Sequence, residues 1–211
     1  MSSATTTFLY CVAGGTAHEL GFLVDVEPEQ FGRCMNNNYY ASLYPARTIL
    51  KAWIVDDQAS KEMPPKPKLR KIVFVKSSAS LVPTAGYVAY SAGKLAQRPL
   101  ADTLGTEIIR YSNAKSKYTV QCVFAHNFIT PTFIEEQKHK PDLTKRIEGT
   151  TGDLADLEIA PEIVAAIRKG DFAVMDGRFE AQFCWAVSIG SSPKWGMGIC
   201  DSLLGMVSSL A

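Results

Sequence analysis

Apolar residues fall along this chain in two rhythms. Thr7–Val12 (TFLYCV), Lys71–Val75 (KIVFV) and Tyr118–Phe124 (YTVQCVF) are short β-branched and aromatic runs that read as buried strands. Between them the spacing widens to three and four. Phe31, Met35, Tyr39, Leu43, Ile49, Leu50 and Ile54 predict a helix from Pro28 to about Asp56, bent at Pro45. A polar loop with Pro64, Pro65 and Pro67 covers Gln58 to Leu69. A long helix is expected over Tyr87–Tyr111, a charged and mostly exposed one over Phe133–Arg146, and one over Pro161–Lys169 with proline in its first turn. Phe172–Met175 reads as a last strand. Strands alternating with helices predict an α/β fold, a doubly wound parallel sheet covered on both faces.

The bulk numbers narrow this picture without changing it. The 211 residues, 46% of them hydrophobic, suit one domain with a sizeable core. A net charge of +1 gives no reason to expect a nucleic-acid partner. Five scattered cysteines without a C-x-x-C pair fit reduced thiols rather than disulfides or a metal centre. The Ser/Thr-rich start lacks the basic region of a signal peptide, and no apolar run reaches the ~20 residues of a spanning helix. Lys66, Lys68, Arg70 and Lys71 read as a solvated basic loop, with contact to anionic lipid as the alternative.

The chemistry lies in Val73–Lys94, VFVKSSASLVPTAGYVAYSAGK. Tyr90 and Lys94 are four apart and share a helix face. An ammonium beside a phenol is expected to draw the tyrosine pKa down from about 10, making a general acid for a ketone. Ser77 ends a strand, where open α/β sheets bind ligands, and its hydroxyl can hold a carbonyl oxygen. Tyr111 and Lys115 repeat the spacing, but the residue thirteen before Tyr111 is Arg98, inside a helix. Only Tyr90 has the serine and the strand-loop-helix setting.

This stretch resembles the catalytic segment of the short-chain dehydrogenase/reductase family. Cys11-Val12-Ala13-Gly14-Gly15 is similar to the family's Asn-Ala-Gly turn, with Val12 in the asparagine's place. Asn36-Asn37-Asn38-Tyr39-Tyr40 is similar to the helix that supplies its fourth catalytic residue. The resemblance implies catalytic roles for Asn38, Ser77, Tyr90 and Lys94, with Asn38 relaying protons to Lys94 through a water. It implies cofactor contacts, to NADPH, at Gly14, Tyr90, Lys94, Phe128 and Thr130. His126 stands on a glycine site of the family, and a structural role is favoured for it because the proton donor is already assigned. LYCVAGGTAHELGFLVDVEPEQF, AYSAGKLAQRPLADTLGTEI and VFAHNFITPTFIEEQ are most like fungal 3-ketodihydrosphingosine reductases. That likeness implies reduction of a long-chain sphingoid ketone at the cytosolic face of the endoplasmic reticulum membrane. A retinoid or steroid carbonyl remains the alternative substrate, and a non-catalytic remnant the alternative class.

The family's glycine-rich nucleotide turn has no counterpart: neither G-x-x-x-G-x-G nor G-x-G-x-x-G occurs. The resemblance starts at the family's fourth strand and covers strands four to seven. At ~30 residues per β-α-β unit, roughly 90 residues of the pattern are unmatched. The expected form is thus an N-terminally truncated Rossmann-like sheet that exposes an apolar strand edge and holds NADPH weakly by itself. Residues 1–178 form the catalytic part and 179–211 an apolar helical tail. In that tail Ile199, Leu203, Met206, Val207 and Leu210 share a face that suits either a membrane interface or packing on the body or a second subunit of a homo-oligomer.

Overall fold

The structure is a computed structural model that describes residues 7–16, 18–77, 80–81, 83–125, 127–148 and 156–175, of which 156–159 by backbone alone. The domain boundary at 178, the apolar tail and His126 lie outside the described residues. Four strands pair in the order β1 (Phe8–Cys11), β2 (Lys68–Ser77), β3 (Ser116–Ala125) and β4 (Ala173–Met175), all parallel. The register sets Tyr10 beside Val73, Val73 beside Gln121 and Cys122 beside Ala173.

The central strands are long apolar runs because both of their faces are covered. On one face Ile72, Phe74, Cys122 and Phe124 pack against Trp53 of α2 (Ala41–Ala59) and Ala101 and Leu104 of α3 (Val88–Glu107). On the other, Val73, Val123 and Val174 meet Ile167 of α6 (Asp156–Lys169). At ~1.5–3 kcal/mol per large apolar side chain, these two layers supply the main cohesion of the sheet. The expected doubly wound arrangement is present. On the outer strand, Phe8 and Tyr10 are 39% and 44% exposed, so the apolar edge is there as well.

Three details differ from the sequence expectations. The first long helix is α1 (Pro28–Met35) running through a π-helical turn, Asn36–Tyr40, into α2. The irregularity therefore sits in the asparagine run, while Pro45 lies within a helix that continues past it. The charged helix is broken into α4 (Pro131–His139) and α5 (Asp142–Glu148). Pro141 forces the residue before it out of the helical region, and Lys140 is extended, with φ −67° and ψ 129°. Helix α6 begins at Asp156, so Pro161 is interior rather than in the first turn.

Only part of the basic stretch is a solvated loop: Lys66 is exposed before the strand, whereas Arg70 and Lys71 are not. Strand β2 starts at Lys68, and Arg70 and Lys71 are buried. The Arg70 guanidinium lies over the rings of Trp53 and Tyr118 and pairs with Asp56 and with Asp57 (2.7 Å). Lys71 Nζ donates to the Ile167 carbonyl at 2.8 Å, near the C-terminus of α6, where a cation satisfies orphaned carbonyls.

Candidate active site

The carboxyl ends of β1, β2 and β3 open on one cavity of about 290 Å³. Its walls include Gly14, Ser77, Tyr90, Lys94, Phe128, Thr130 and Glu136. Strand β2 ends at Ser77, and α3 carries Tyr90 and Lys94 on adjacent turns of one face. The Ser77 hydroxyl is hydrogen-bonded to the Tyr90 phenol. Lys94 Nζ lies 5.8 Å from the centroid of the Tyr90 ring. Three residues separated in sequence thus converge on a space that admits a small carbonyl.

Asn38, in the π turn, is fully buried and does two jobs. Its Oδ1 accepts from the Gly15 N–H at 2.9 Å, and its Nδ2 donates to the Gly15 and Cys34 carbonyls at 3.0 and 2.9 Å. Its own carbonyl accepts from Gln97 Nε2 at 2.6 Å. The side chain therefore pins the Gly14-Gly15 turn to the helix layer, and Gln97 ties that layer to α3. The glycines here are steric requirements. A Cβ on Gly14, whose φ is +146°, would stand 2.8 Å from Asn38 Oδ1 and 3.0 Å from Lys94 Nζ. A Cβ on Gly93 would stand 3.1 Å from Asn38 Cβ, so α3 approaches the π turn closely just where it delivers Lys94.

The electrostatics overturn one expectation. The Tyr90 pKa is pushed up, not down: burial dominates, the Ser77 hydrogen bond opposes it, and the Glu136, Cys34 and Glu148 charges add to it. The unliganded site therefore holds the phenol firmly protonated. Lys94 is instead lowered from 10.5 to about 8, first by burial and further by Lys76, with Cys34 acting against them. Burial of each group is the largest cause of its own shift.

That cost is measurable. A folded-state value near 8 against 10.5 amounts to about 3 kcal/mol, since each pKa unit is ~1.4 kcal/mol. The penalty is complete below about pH 8 and fades as pH rises toward 10.5, where the unfolded chain binds more protons. Lys94→Met should therefore raise stability at pH 7 by up to about 3 kcal/mol, with the gain shrinking by pH 10. Denaturation midpoints at the two pH values check this; destabilisation at pH 7 would contradict it.

The second Tyr/Lys pair is structural. Lys115 Nζ donates to the Asp57 and Ser60 carbonyls at 2.7 and 2.6 Å, and Tyr111 packs edge-on against Tyr118. Both line a larger cavity of about 470 Å³ at the opposite end of the sheet, without a serine between them.

Of the expected cofactor contacts, Gly14, Tyr90, Lys94, Phe128 and Thr130 all border the reactive cavity. Thr130 also caps α4, accepting from the Phe133 N–H at 3.0 Å. A strained glycine turn, an ammonium and a capped helix start around this volume fit the nicotinamide-ribose end of a dinucleotide. Sequence reading missed Glu136, Lys140 and Tyr87, which form a buried polar group on the same cavity's flank. The i, i+4 spacing of Glu136 and Lys140 was the available signal.

Comparison with known proteins shows the family. Residues 6–141 match the model of the short chain dehydrogenase family. The chain belongs to the short-chain dehydrogenase family. Among curated relatives, 3-ketodihydrosphingosine reductase ksrA of Aspergillus fumigatus is 30% identical over 96% of this chain and 56% of its own length. The 3-dehydrosphinganine reductase of Danio rerio is 31% identical over 82% of this chain and 47% of its own. This short-chain dehydrogenase chain thus spans about half the length of the curated relatives it matches. Among solved structures, a short-chain dehydrogenase of Sphingobium yanoikuyae in complex with NADPH superposes with a TM-score of 0.67 at 15% identity, covering 99% of this chain and 66% of the other. One from Streptomyces avermitilis gives 0.60 at 17%, covering 96% and 68%. At such identities the likeness establishes the Rossmann-like fold.

Proposed function

We propose that this chain carries the catalytic centre of an NADPH-dependent reductase that converts 3-ketodihydrosphingosine to dihydrosphingosine in sphingolipid biosynthesis. The observation that carries the reading is the Ser77–Tyr90 hydrogen bond with Lys94 over the same ring, in one cavity. The names of the similar curated proteins support the substrate.

NADPH, when bound, supplies the hydride for the carbonyl carbon. Lys94 and Tyr90 would hold its nicotinamide ribose, and Phe128 and Thr130 would flank the ring and its carboxamide. The Ser77 hydroxyl donates to the substrate's carbonyl oxygen and fixes its position against Tyr90. As negative charge grows on that oxygen, the phenolic proton of Tyr90 passes to it. Lys94 then stabilises the phenolate, an interaction that matters only once the proton has left. Asn38 holds the turn on which this depends, and a water beside it would return a proton to Lys94. The reading places the enzyme at the cytosolic face of the endoplasmic reticulum membrane.

Incubation with NADPH and 3-ketodihydrosphingosine, with product mass measured, tests this. Dihydrosphingosine should form, and steroid and retinoid carbonyl compounds should be poor substrates. Absence of product at NADPH concentrations where binding is measured, or faster turnover of a steroid or retinoid, would overturn the assignment.

A further inference from the structure

Glu136 stands on the flank of the reactive cavity, beyond the residues assigned to carbonyl chemistry. Its Oε1 accepts from the Tyr87 hydroxyl and forms an ion pair with Lys140 Nζ at 2.9 Å. Its Oε2 has no hydrogen-bond partner among the described residues. Lys140 is fully enclosed, lies over the rings of Tyr87 and Phe133, and is shared with Glu148 at 2.6 Å. Two carboxylates and one ammonium leave this group one negative charge in excess. Both carboxylates are close enough to act on the Tyr90 phenol.

An enclosed net negative charge beside a ketone-reducing tyrosine suits a ketone that carries a cation of its own. In a 2-amino-3-ketone the ammonium is on the carbon next to the carbonyl, so a carbonyl held at Ser77 and Tyr90 keeps the ammonium within the same cavity. We propose that Glu136 is the specificity-determining residue that receives the substrate's α-ammonium, backed by Glu148 through their shared Lys140. This deepens the function proposed above and rests on it. The Glu-Lys-Glu arrangement has a physical logic. A lone buried carboxylate would be costly without substrate, whereas Lys140 tempers that cost and leaves one charge to be met by the ligand. A neutral ketone of the same shape would leave that charge unanswered.

The test compares matched, short-chain, soluble ligands by calorimetry: a 2-amino-1,3-diol and the same 1,3-diol without the amine. The protein should prefer the amino diol by tenfold or more. Glu136→Gln, which keeps an acceptor for Tyr87, should cut that preference at least tenfold, and Glu136→Asp should retain part of it. Glu148→Gln should also cut it, because Lys140 then neutralises Glu136; this variant keeps the idea testable if Glu136→Gln fails to fold. Equal binding of the two diols, no measurable binding of the amino diol, or a wild-type preference in folded Glu136→Gln would overturn the proposal. Turnover of the matched ketones with NADPH separates the two claims. Amine preference without reduction while NADPH is bound would sink the reductase reading alone, and equal reduction of both ketones would sink amine recognition alone.

Discussion

Tyr90→Phe should lower ketone reduction by roughly 10²–10⁴-fold, the usual contribution of a positioned general acid. The substitution removes one oxygen and leaves the ring packed against Tyr87, whose centroid is 5.6 Å away. Its structural cost is the Ser77 hydrogen bond, about 1 kcal/mol, so the melting temperature should change little. Tyr111→Phe makes the same chemical change in the other Tyr-x-x-x-Lys and should leave turnover near wild type. Tyr111 packs on Tyr118 at the far end of the sheet, and its partner lysine is bound to two backbone carbonyls. Steady-state rates of the two variants, with thermal melts as the control for folding, decide the matter. Comparable losses would strip Tyr90 of its role as proton donor.

The placement of that tyrosine was legible in the sequence because it follows from short-range rules. A strand ending at Ser77 and a helix opening at Val88 put Tyr90 and Lys94 one turn apart over the strand's carboxyl end. The parallel sheet was equally legible, since β2 and β3 are nearly continuous apolar runs between helical periods. The direction of the Tyr90 shift was not. A sequence shows that a lysine is near, but not that both groups are stripped of water, and here burial is the largest cause of both shifts. Glu136 escaped notice for a similar reason. Its helix looked like an exposed charged one until the break at Pro141 turned Lys140 inward.

The fate of Arg70 shows the remaining gap most clearly, because its partners come from distant segments. Asp57 accepts from Arg70 at 2.7 Å, from Ser116 at 2.8 Å and from Tyr118 at 2.7 Å, while Arg70 Nε donates to Ser116 at 2.8 Å. No local pattern announces a network that joins the end of α2 to the starts of β2 and β3. It turns Arg70, which looked solvated, into part of the core.

Asp57→Ala should therefore cost about 3–5 kcal/mol, the scale for removing one partner of a buried ion pair. The lower end is expected, because Arg70 retains Asp56. Burial favours the neutral Asp57 carboxyl, but hydrogen bonds from Tyr118, Ser116 and Arg70 outweigh it and hold its pKa below the ordinary value of 3.8. The folded-state pKa thus lies under the unfolded one. Its stabilisation is complete above ~4 and is lost as pH falls through the folded value. In Asp57→Ala this part of the acid slope should disappear, so the variant and wild type should converge in stability at low pH. Denaturant midpoints between pH 7 and pH 3 measure both effects. A loss under about 1 kcal/mol at pH 7, typical of an exposed pair, would mean the network is not a structural clasp. Because it ties the amino ends of β2 and β3 while Ser77 lies at the carboxyl end of β2, the folded variant should bind ligands at the reactive cavity as wild type does.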